Sequence, residues 1–311
     1  GSPVRIVMEA GTHSPWVSRL LEDLGHEVFV ANPRQLRLIS QSDRKSDRHD
    51  AQALARLGRL DPALLRPIRH RSAETLADRE MLRARDALVR ARTQLVNHAR
   101  SAVKVTGGRL PASGTSAFVK KVTPAVPARL RPALDPVLAM ITALNEALRH
   151  YERELEALAE TRHPETACLR QVTGVGVVTS LAYVLTLEDP HRFAKSRSVG
   201  AYLGLRPRQH QSGEMDLQMR ITKAGDRALR RLLVQSAHYI LGPFGPDTDL
   251  KRYGQRLAAR GGKSAKKRAV VAVARKLAVL LHRLWVTGEV YEPLRAAARK
   301  PESVRAEGAA A

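Results

Sequence analysis

The sequence predicts an α/β unit joined to a mostly helical remainder, and three observations carry that prediction. Residues 3–31 alternate an apolar run, an amphipathic stretch and a second apolar run, the pattern of strand, helix and strand. From residue 46 onward apolar side chains recur at spacings of three and four over most of the chain. Two long stretches of this kind, 76–105 and 137–158, flank a segment containing Gly107, Gly108 and Pro132, the layout of a helical hairpin.

Taken in order, Val4, Ile6 and Val7 open the first strand, expected to be buried over 4–8. Residues 16–24 form a helix ending at Gly25, and 28–31 form a second strand halted by Asn32 and Pro33. A strand-helix-strand unit implies a parallel pair, and two strands alone make a poor sheet, so further strands are expected before residue 1 or from a partner. Helix resumes over 46–57 with Ala51, Leu54, Ala55 and Leu57 on its packing side. An Arg- and Pro-containing connector covers 61–71, and 107–132 reads as a loop-rich interruption between the long helices. Val137, Ile141, Leu144, Leu148, Tyr151, Leu155 and Leu158 alternate spacings of four and three, which suits either a coiled-coil arm or an ordinary bundle helix. Residues 163–295 read as mainly helical, with a loop over 204–213, a basic loop over 260–268 and a buried helix over 270–285. The expected organisation is therefore 1–72, 73–162 and 163–311.

Charge narrows the partner. Lys and Arg number 53 against 30 Asp and Glu, a formal net charge of +23, which favours a polyanion. No apolar run approaches the ~20 residues of a spanning helix, and no signal-peptide pattern is present. A membrane partner is not expected; nucleic acid and a cytoplasmic, nucleoid-associated location are. Cys168 is the single cysteine, which excludes an internal disulfide or a cysteine-based zinc site.

Candidate chemistry gathers at five places. Glu9 lies at the C-terminal end of a strand, where open α/β sheets place their sites. Asp47 and Asp50 stand three apart on one helix face, and hard carboxylate oxygens there suit Mg²⁺ or Mn²⁺; capping and pairing with Arg44 or Arg48 are the plainer alternatives. Ser212 lies in a Gln-Ser-Gly turn, a setting that by itself reads as a turn residue. Around it Arg206, Arg208, Arg220, Lys223, Arg227 and Arg230 could hold a phosphate. Gly174 and Gly176 fit a helix-hairpin-helix turn that brings backbone N–H groups to a DNA phosphate, or a plain interhelical turn. No strand precedes them, so a dinucleotide site is a poor reading. Lys263, Lys266, Lys267 and Arg268 form a basic block at a helix start, suited to backbone phosphates or to solvent.

The ordered series Val7-Met-Glu-Ala-Gly-Thr-His-Ser14, Asp43-Arg-Lys-Ser-Asp-Arg-His-Asp-Ala51 and Thr173-Gly-Val-Gly176 resembles the bacterial transposases of the insertion-sequence "one-ten" family. Asp189-Pro-His-Arg-Phe193, Val199-Gly-Ala-Tyr-Leu-Gly-Leu205, Gln211-Ser-Gly213 and Arg220-Ile-Thr-Lys-Ala-Gly-Asp226 continue it. The resemblance implies a partial RNase H/RuvC-like DEDD domain, a helical arm and a serine-bearing transposase domain. It further implies that Glu9, Asp47 and Asp50 are three of four metal-binding carboxylates and that Ser212 is the nucleophile. The partners implied are DNA, a structured guide RNA and further copies of the chain in a dimer or tetramer. The family's first aspartate precedes the glutamate on an earlier strand, and nothing upstream of Glu9 matches it. The resemblance therefore implies an N-terminally truncated chain that lacks one ligand and, as written, the cleavage activity. A metal-dependent nuclease without serine chemistry and a non-catalytic nucleic-acid-binding remnant are the alternatives.

Overall fold

In the computed structural model, residues 2–32, 46–209, 211–212, 215–216 and 219–295 are described, the side chains of Ser212 and Asp216 excepted. The chain divides into two units, Gly1–Leu76 and Ala77–Ala311, each built on its own contacts.

In the first unit, β-branched and aromatic side chains make two short strands, β1 (Arg5–Glu9) and β2 (Glu27–Ala31). They pair in parallel with Arg5 opposite Glu27 and Glu9 opposite Ala31. The Arg5 and Glu27 side chains close at 2.7 Å across that register. The connecting helix α1 (Ser14–Asp23) starts on Pro15 and stops where Gly25 takes φ of 86°. The first strand was expected to be buried; it is half-exposed, and only its middle residues are partly covered.

Helix α2 (Asp47–Leu60) is capped by Ser46, whose hydroxyl accepts from His49 N at 3.3 Å, so the cap is the serine and not Asp47. Its packing stripe is Leu54, Leu57 and Gly58; Ala51 and Ala55 face solvent, against expectation. Gly58 is required there, because a Cβ would come within 2.3 Å of Val7 Cγ2. The connector is more ordered than its composition suggested. Pro62–Leu65 forms a 3-10 turn capped by Asp61, Leu65 is fully buried, and Ile68 N donates to Val30 O at 2.8 Å along β2.

The second unit begins on α3 (Ala73–Val105) and returns on α5 (Arg131–Thr161), in antiparallel order. Arg92 donates to Asn145 at 2.9 Å, Arg85 lies 3.7 Å from Glu152, and buried Asp78 accepts from Arg162 at 2.7 Å. These pairs fix the register of a helical hairpin, with Leu134, Leu138, Ile141, Leu144, Leu148, Leu155 and Leu158 buried along α5. Asn145 sits inside that seam, while Val137 and Tyr151 are only partly covered. The interruption expected as loop contains a short helix, α4 (Phe118–Val122), and its own core. Leu110, Phe118, Val122 and Val126 pack there on Val96, Ala99 and Val103 of α3 and on Leu134, Leu138 and Ile141 of α5.

The remaining helices are α6 (Thr166–Arg170), α7 (Val177–Leu187), α8 (Arg197–Tyr202), α9 (Arg227–Leu241), α10 (Asp249–Ala259) and α11 (Ala265–Thr287). They surround α11, whose Val273, Ala274, Leu277, Ala278, Leu281 and Leu284 are fully buried, as its apolar sequence predicted. Two polar side chains anchor this core. Tyr183 donates to Ala278 O at 2.6 Å, and burial pushes its phenol well above the usual range. His282 bridges Ser196 Oγ and Pro190 O, both at 2.9 Å. Among the described residues no helix is long and apolar enough to cross a membrane.

Candidate functional site

The serine lies on a ribbon that projects from the helical core of the second unit. Its stem is held by Arg208 N to Arg220 O at 3.0 Å, Thr222 N to Arg206 O at 2.9 Å and Lys223 N to Gly204 O at 3.1 Å. Beyond it, β3 (Gln211–Ser212) pairs antiparallel with β4 (Met215–Asp216), Ser212 opposite Met215. Ser212 therefore ends a short strand, where a turn was expected; His210 and Gly213 lie outside the described residues.

Two glycines fix the base of the stem. Gly204 has φ of 68°, and a Cβ there would meet Ala224 N and O at 2.3 Å. Gly225 has φ of 71°, and its Cβ would meet Tyr202 O at 2.2 Å. The two backbone segments thus cross at a spacing only glycine permits. Asp226 then caps α9, accepting from Leu229 N at 2.8 Å, and pairs with Arg79 at 2.6 Å.

The stem register decides which cations share a face. Pro207 is opposite Ile221, so Arg208 is opposite Arg220, and Arg206 lies two residues along on the same side. All three are exposed, as are Lys223 and Arg227. Directly opposed like charges destabilise a strand pair by a few tenths of a kcal/mol to about 1 kcal/mol, a cost that a bound anion removes. Arg230 has a different task from the phosphate contact expected of it. Its Nη1 donates to Leu203 O at 2.9 Å and Ala224 O at 2.6 Å, tying α9 to the crossing.

The glycine turn stands between α6 and α7. Gly174 takes φ of 91°, and a Cβ would press on Tyr239 Cδ1 at 3.1 Å; Gly176 caps α7. An open cavity of about 450 Å³ is lined here by Gly174, Gly176, Thr179, Gln235, Ser236 and Tyr239 among others, none of them a cation. The glycines therefore form a turn between two helices, while the neighbouring basic residues expected at the turn are not part of the cavity lining. The second basic block is fully exposed: Lys263 follows left-handed Gly261 and Gly262, and Lys266, Lys267 and Arg268 occupy the first turn of α11. Cations at the positive end of a helix dipole cost roughly 0.3–1 kcal/mol each, again a cost that an anion offsets.

In the first unit, Glu9 ends β1 and is exposed, and Ala10 N continues the ladder to Ala31 O at 3.2 Å. The Gly11–Ser14 turn closes beneath it through paired bonds of the buried Ser14 hydroxyl, at 3.0 and 2.9 Å. Asp47 and Asp50 lie in the first turn of α2, whose C-terminal half packs on β1. None of the three carboxylates is ion-paired among the described residues. The donor chemistry suits a hard divalent cation. However, no group of three or more His, Cys, Asp or Glu side chains is placed to hold a metal among the described residues, so the expected three-carboxylate set is not assembled. Residues 43–45 of the expected motif lie outside the described residues.

Two family models match separate parts of the chain. Residues 166–249 match the family described as Transposase IS116/IS110/IS902, and residues 1–107 match the DEDD transposase domain of IS110 elements. The transposase for insertion sequence element IS1111A of Coxiella burnetii is 31% identical over 296 residues, covering 92% of this chain and 79% of the relative. The chain belongs to this transposase family. A probable family 20 transposase of Pseudomonas aeruginosa is 30% identical, with 94% of this chain and 86% of the relative covered. The transposase for IS1328 of Yersinia enterocolitica is 31% identical over 76% and 70%. The match over 166–249 contains the glycine turn, the arginine-bearing stem and Ser212; that over 1–107 contains Glu9, Asp47 and Asp50.

Sequence reasoning missed two buried polar anchors of the second unit. Asp78 lies between Arg162 and His163, at 2.7 and 3.0 Å, and His282 is locked on both ring nitrogens. Both look like ordinary surface polar residues in the sequence, and only their helical phase beside apolar neighbours marks them.

Proposed function

We propose that this chain is a DNA transposase in which Ser212 attacks a phosphodiester and the arginine face of its ribbon holds the phosphate. The observation that supports it is the juxtaposition of Arg206, Arg208 and Arg220 on the stem of the ribbon that ends at Ser212. In the proposed step Ser212 Oγ forms a bond to phosphorus while the bond from phosphorus to one sugar oxygen breaks. The serine proton passes to that departing oxygen, and the released hydroxyl of a second strand can reverse the step to complete exchange. Three guanidinium groups would stabilise the charge that builds on the phosphoryl oxygens.

Glu9, Asp47 and Asp50 are the carboxylates we assign to Mg²⁺ or Mn²⁺, which when bound would neutralise phosphate charge. Assembly of several copies, bringing the carboxylates of one to the serine of another, is part of the same reading. So is a structured RNA as a second polyanionic partner, supported by the charge of +23.

The test uses end-labelled DNA and denaturing gels. In a protein supplied with all four carboxylates, a protein–DNA adduct should form that Ser212→Ala abolishes while DNA binding persists. An adduct that survives Ser212→Ala sinks the serine assignment, and cleavage without any adduct favours a water-dependent nuclease. Mn²⁺ binding read by electron paramagnetic resonance should weaken in Glu9→Gln and Asp50→Asn; unchanged binding removes those ligands from the reading.

A further inference from the structure

Charge is spread unevenly over this chain. Between Asp86 and Asp135 the sequence has no acidic residue and nine Lys or Arg, seven of them from Arg100 to Arg131 at the end of the hairpin. The cavity at the glycine turn is the opposite, since no side chain that lines it carries a charge. In a chain of +23 a phosphate has many better-matched places to sit. A neutral cavity in such a protein calls for a neutral ligand.

Its wall holds hydrogen-bonding groups with nothing to bond. Ser236 of α9 is 4% exposed and Thr179 of α7 is 7% exposed, yet neither hydroxyl has a hydrogen-bond partner among the described residues. Ser180, next to Thr179, shows the ordinary arrangement, its hydroxyl donating back to Gly176 O and Val177 O at 3.2 and 3.1 Å. Buried hydroxyls are nearly always bonded, and on a helix the carbonyl one turn back is the usual acceptor. Ser236 and Thr179 do not make that bond, and neither oxygen is sealed from the cavity. Gln235 adds a carboxamide, so donors and acceptors stand together. Tyr239 supplies a flat apolar surface: it is 47% exposed and its hydroxyl has no partner among the described residues. Gly174, at φ of 91°, lets the turn lie against that ring, because a Cβ would stand 3.1 Å from Tyr239 Cδ1.

We propose that this cavity takes one unpaired base of a DNA strand, its ring stacked on Tyr239 and its edge bonded to Ser236, Thr179 and Gln235. A base is planar and neutral and presents donors and acceptors side by side along one edge, which is what these groups can meet. A phosphate would find no cation here, and a peptide amide would satisfy the hydroxyls but leave the tyrosine ring unmatched. Inside a duplex both faces of a base are stacked and its edge is paired, so only a base that has left the helix fits. The whole lining lies within residues 166–249, the stretch that matches the transposase family. A strand that leaves one partner for another must unpair on the way, and a held base keeps it from pairing back. The inference rests on the reading of the chain as a DNA transposase, but not on Ser212 as its nucleophile.

The experiment measures binding of the full chain to DNA duplexes that are fully paired, that carry one unpaired base (each of the four in turn), or that carry an abasic residue at the same position. The abasic duplex keeps every phosphate, so a site for the backbone alone cannot distinguish it from the unpaired-base duplex. The parent should bind at least one unpaired base roughly 5- to 150-fold more tightly than the abasic residue, the range for one base on one aromatic ring. Tyr239→Ala should bring that ratio close to one, and Tyr239→Phe should keep most of it. Ser236→Ala and Thr179→Val should each lower the ratio by about 2- to 10-fold without lowering the melting temperature, because these hydroxyls have no bond to lose in the free protein. A ratio near one in the parent overturns the proposal, as does a ratio that Tyr239→Ala leaves intact. A lower melting temperature in both hydroxyl variants overturns it too, by placing those groups in the fold and not the site. A preference shown by an unpaired base in RNA and by none in DNA overturns the assignment to DNA. Equal binding to all the DNA duplexes strikes this inference alone, whereas binding to none of them strikes the transposase reading with it.

Discussion

Gly204→Ala should unfasten the serine ribbon from its base. At φ of 68° an alanine pays about 1–2 kcal/mol for the left-handed backbone alone. Its Cβ would also stand 2.3 Å from Ala224 N and O, main-chain atoms that cannot swing aside as a side chain can. The crossing must therefore open, weakening the Lys223 N to Gly204 O bond and the hold of Arg230 on Leu203 O and Ala224 O. Together these put the loss at roughly 2–4 kcal/mol, among the larger single-substitution effects. For a unit of this size each kcal/mol lowers the melting temperature by about 2–4 °C, so a drop of about 4–16 °C is expected by calorimetry. Gly114→Ala is the control, because nothing lies within 4 Å of its Cβ position and its backbone is not left-handed. It should melt within a degree or so of the parent. A Gly204→Ala protein that melts with the parent would refute the close crossing, and with it the claim that these glycines position the arginine face.

Arg220→Ala should separate function from stability. Removing one of two opposed arginines relieves repulsion worth about 0.2–1 kcal/mol, so the free protein should melt slightly higher while its affinity for DNA falls. A variant that loses stability would show that the pair is structural. The first unit should be acid-sensitive through His70, whose pKa is lowered first by burial and then by the nearby Arg19 charge. The folded state disfavours the protonated ring. The contribution is therefore complete above pH 6.5 and is lost as pH falls from there through the lowered folded value. His70→Gln should flatten urea-melting curves over that range; a curve with the parent's slope would exclude His70 as the source.

The β1–α1–β2 unit was legible because every signal in it is local. Strand residues, a proline start, a glycine stop and a parallel return all lie within about thirty positions. The hairpin was legible for the same reason, since helical periodicity survives over eight turns. The end core was not. Leu110, Phe118, Val122 and Val126 are spread among prolines, glycines and polar residues, and they become a core only when two distant helices are brought beside them. Site residues divide likewise. The identities of Ser212, Glu9 and the arginines could be read from a chain of motifs, but which arginines share a face follows from a strand register the sequence does not state. Arg230 shows the hazard, because a basic residue beside a phosphate-binding loop looks the same whether it faces solvent or carbonyls.

A common physical feature links the ribbon, the start of α11 and the hairpin end. In each, positive charge gathers without an ion pair to a carboxylate among the described residues. Arg208 opposes Arg220, three cations crowd the positive end of a helix, and seven surround a small core with no carboxylate. Acidic residues are present elsewhere in sufficient number, 30 in all, and they pair with arginines along the hairpin at Asp78, Asp86 and Glu152. Their absence from the sequence of the hairpin end and of the start of α11 leaves two cationic faces that a polyanion would relax. Binding then contributes to folding by mass action, about 2.7 kcal/mol once the ligand stands at a hundred times its dissociation constant. That coupling argues that the basic surfaces belong to the working state of the chain, because a sequence needing only a soluble fold would place carboxylates among them.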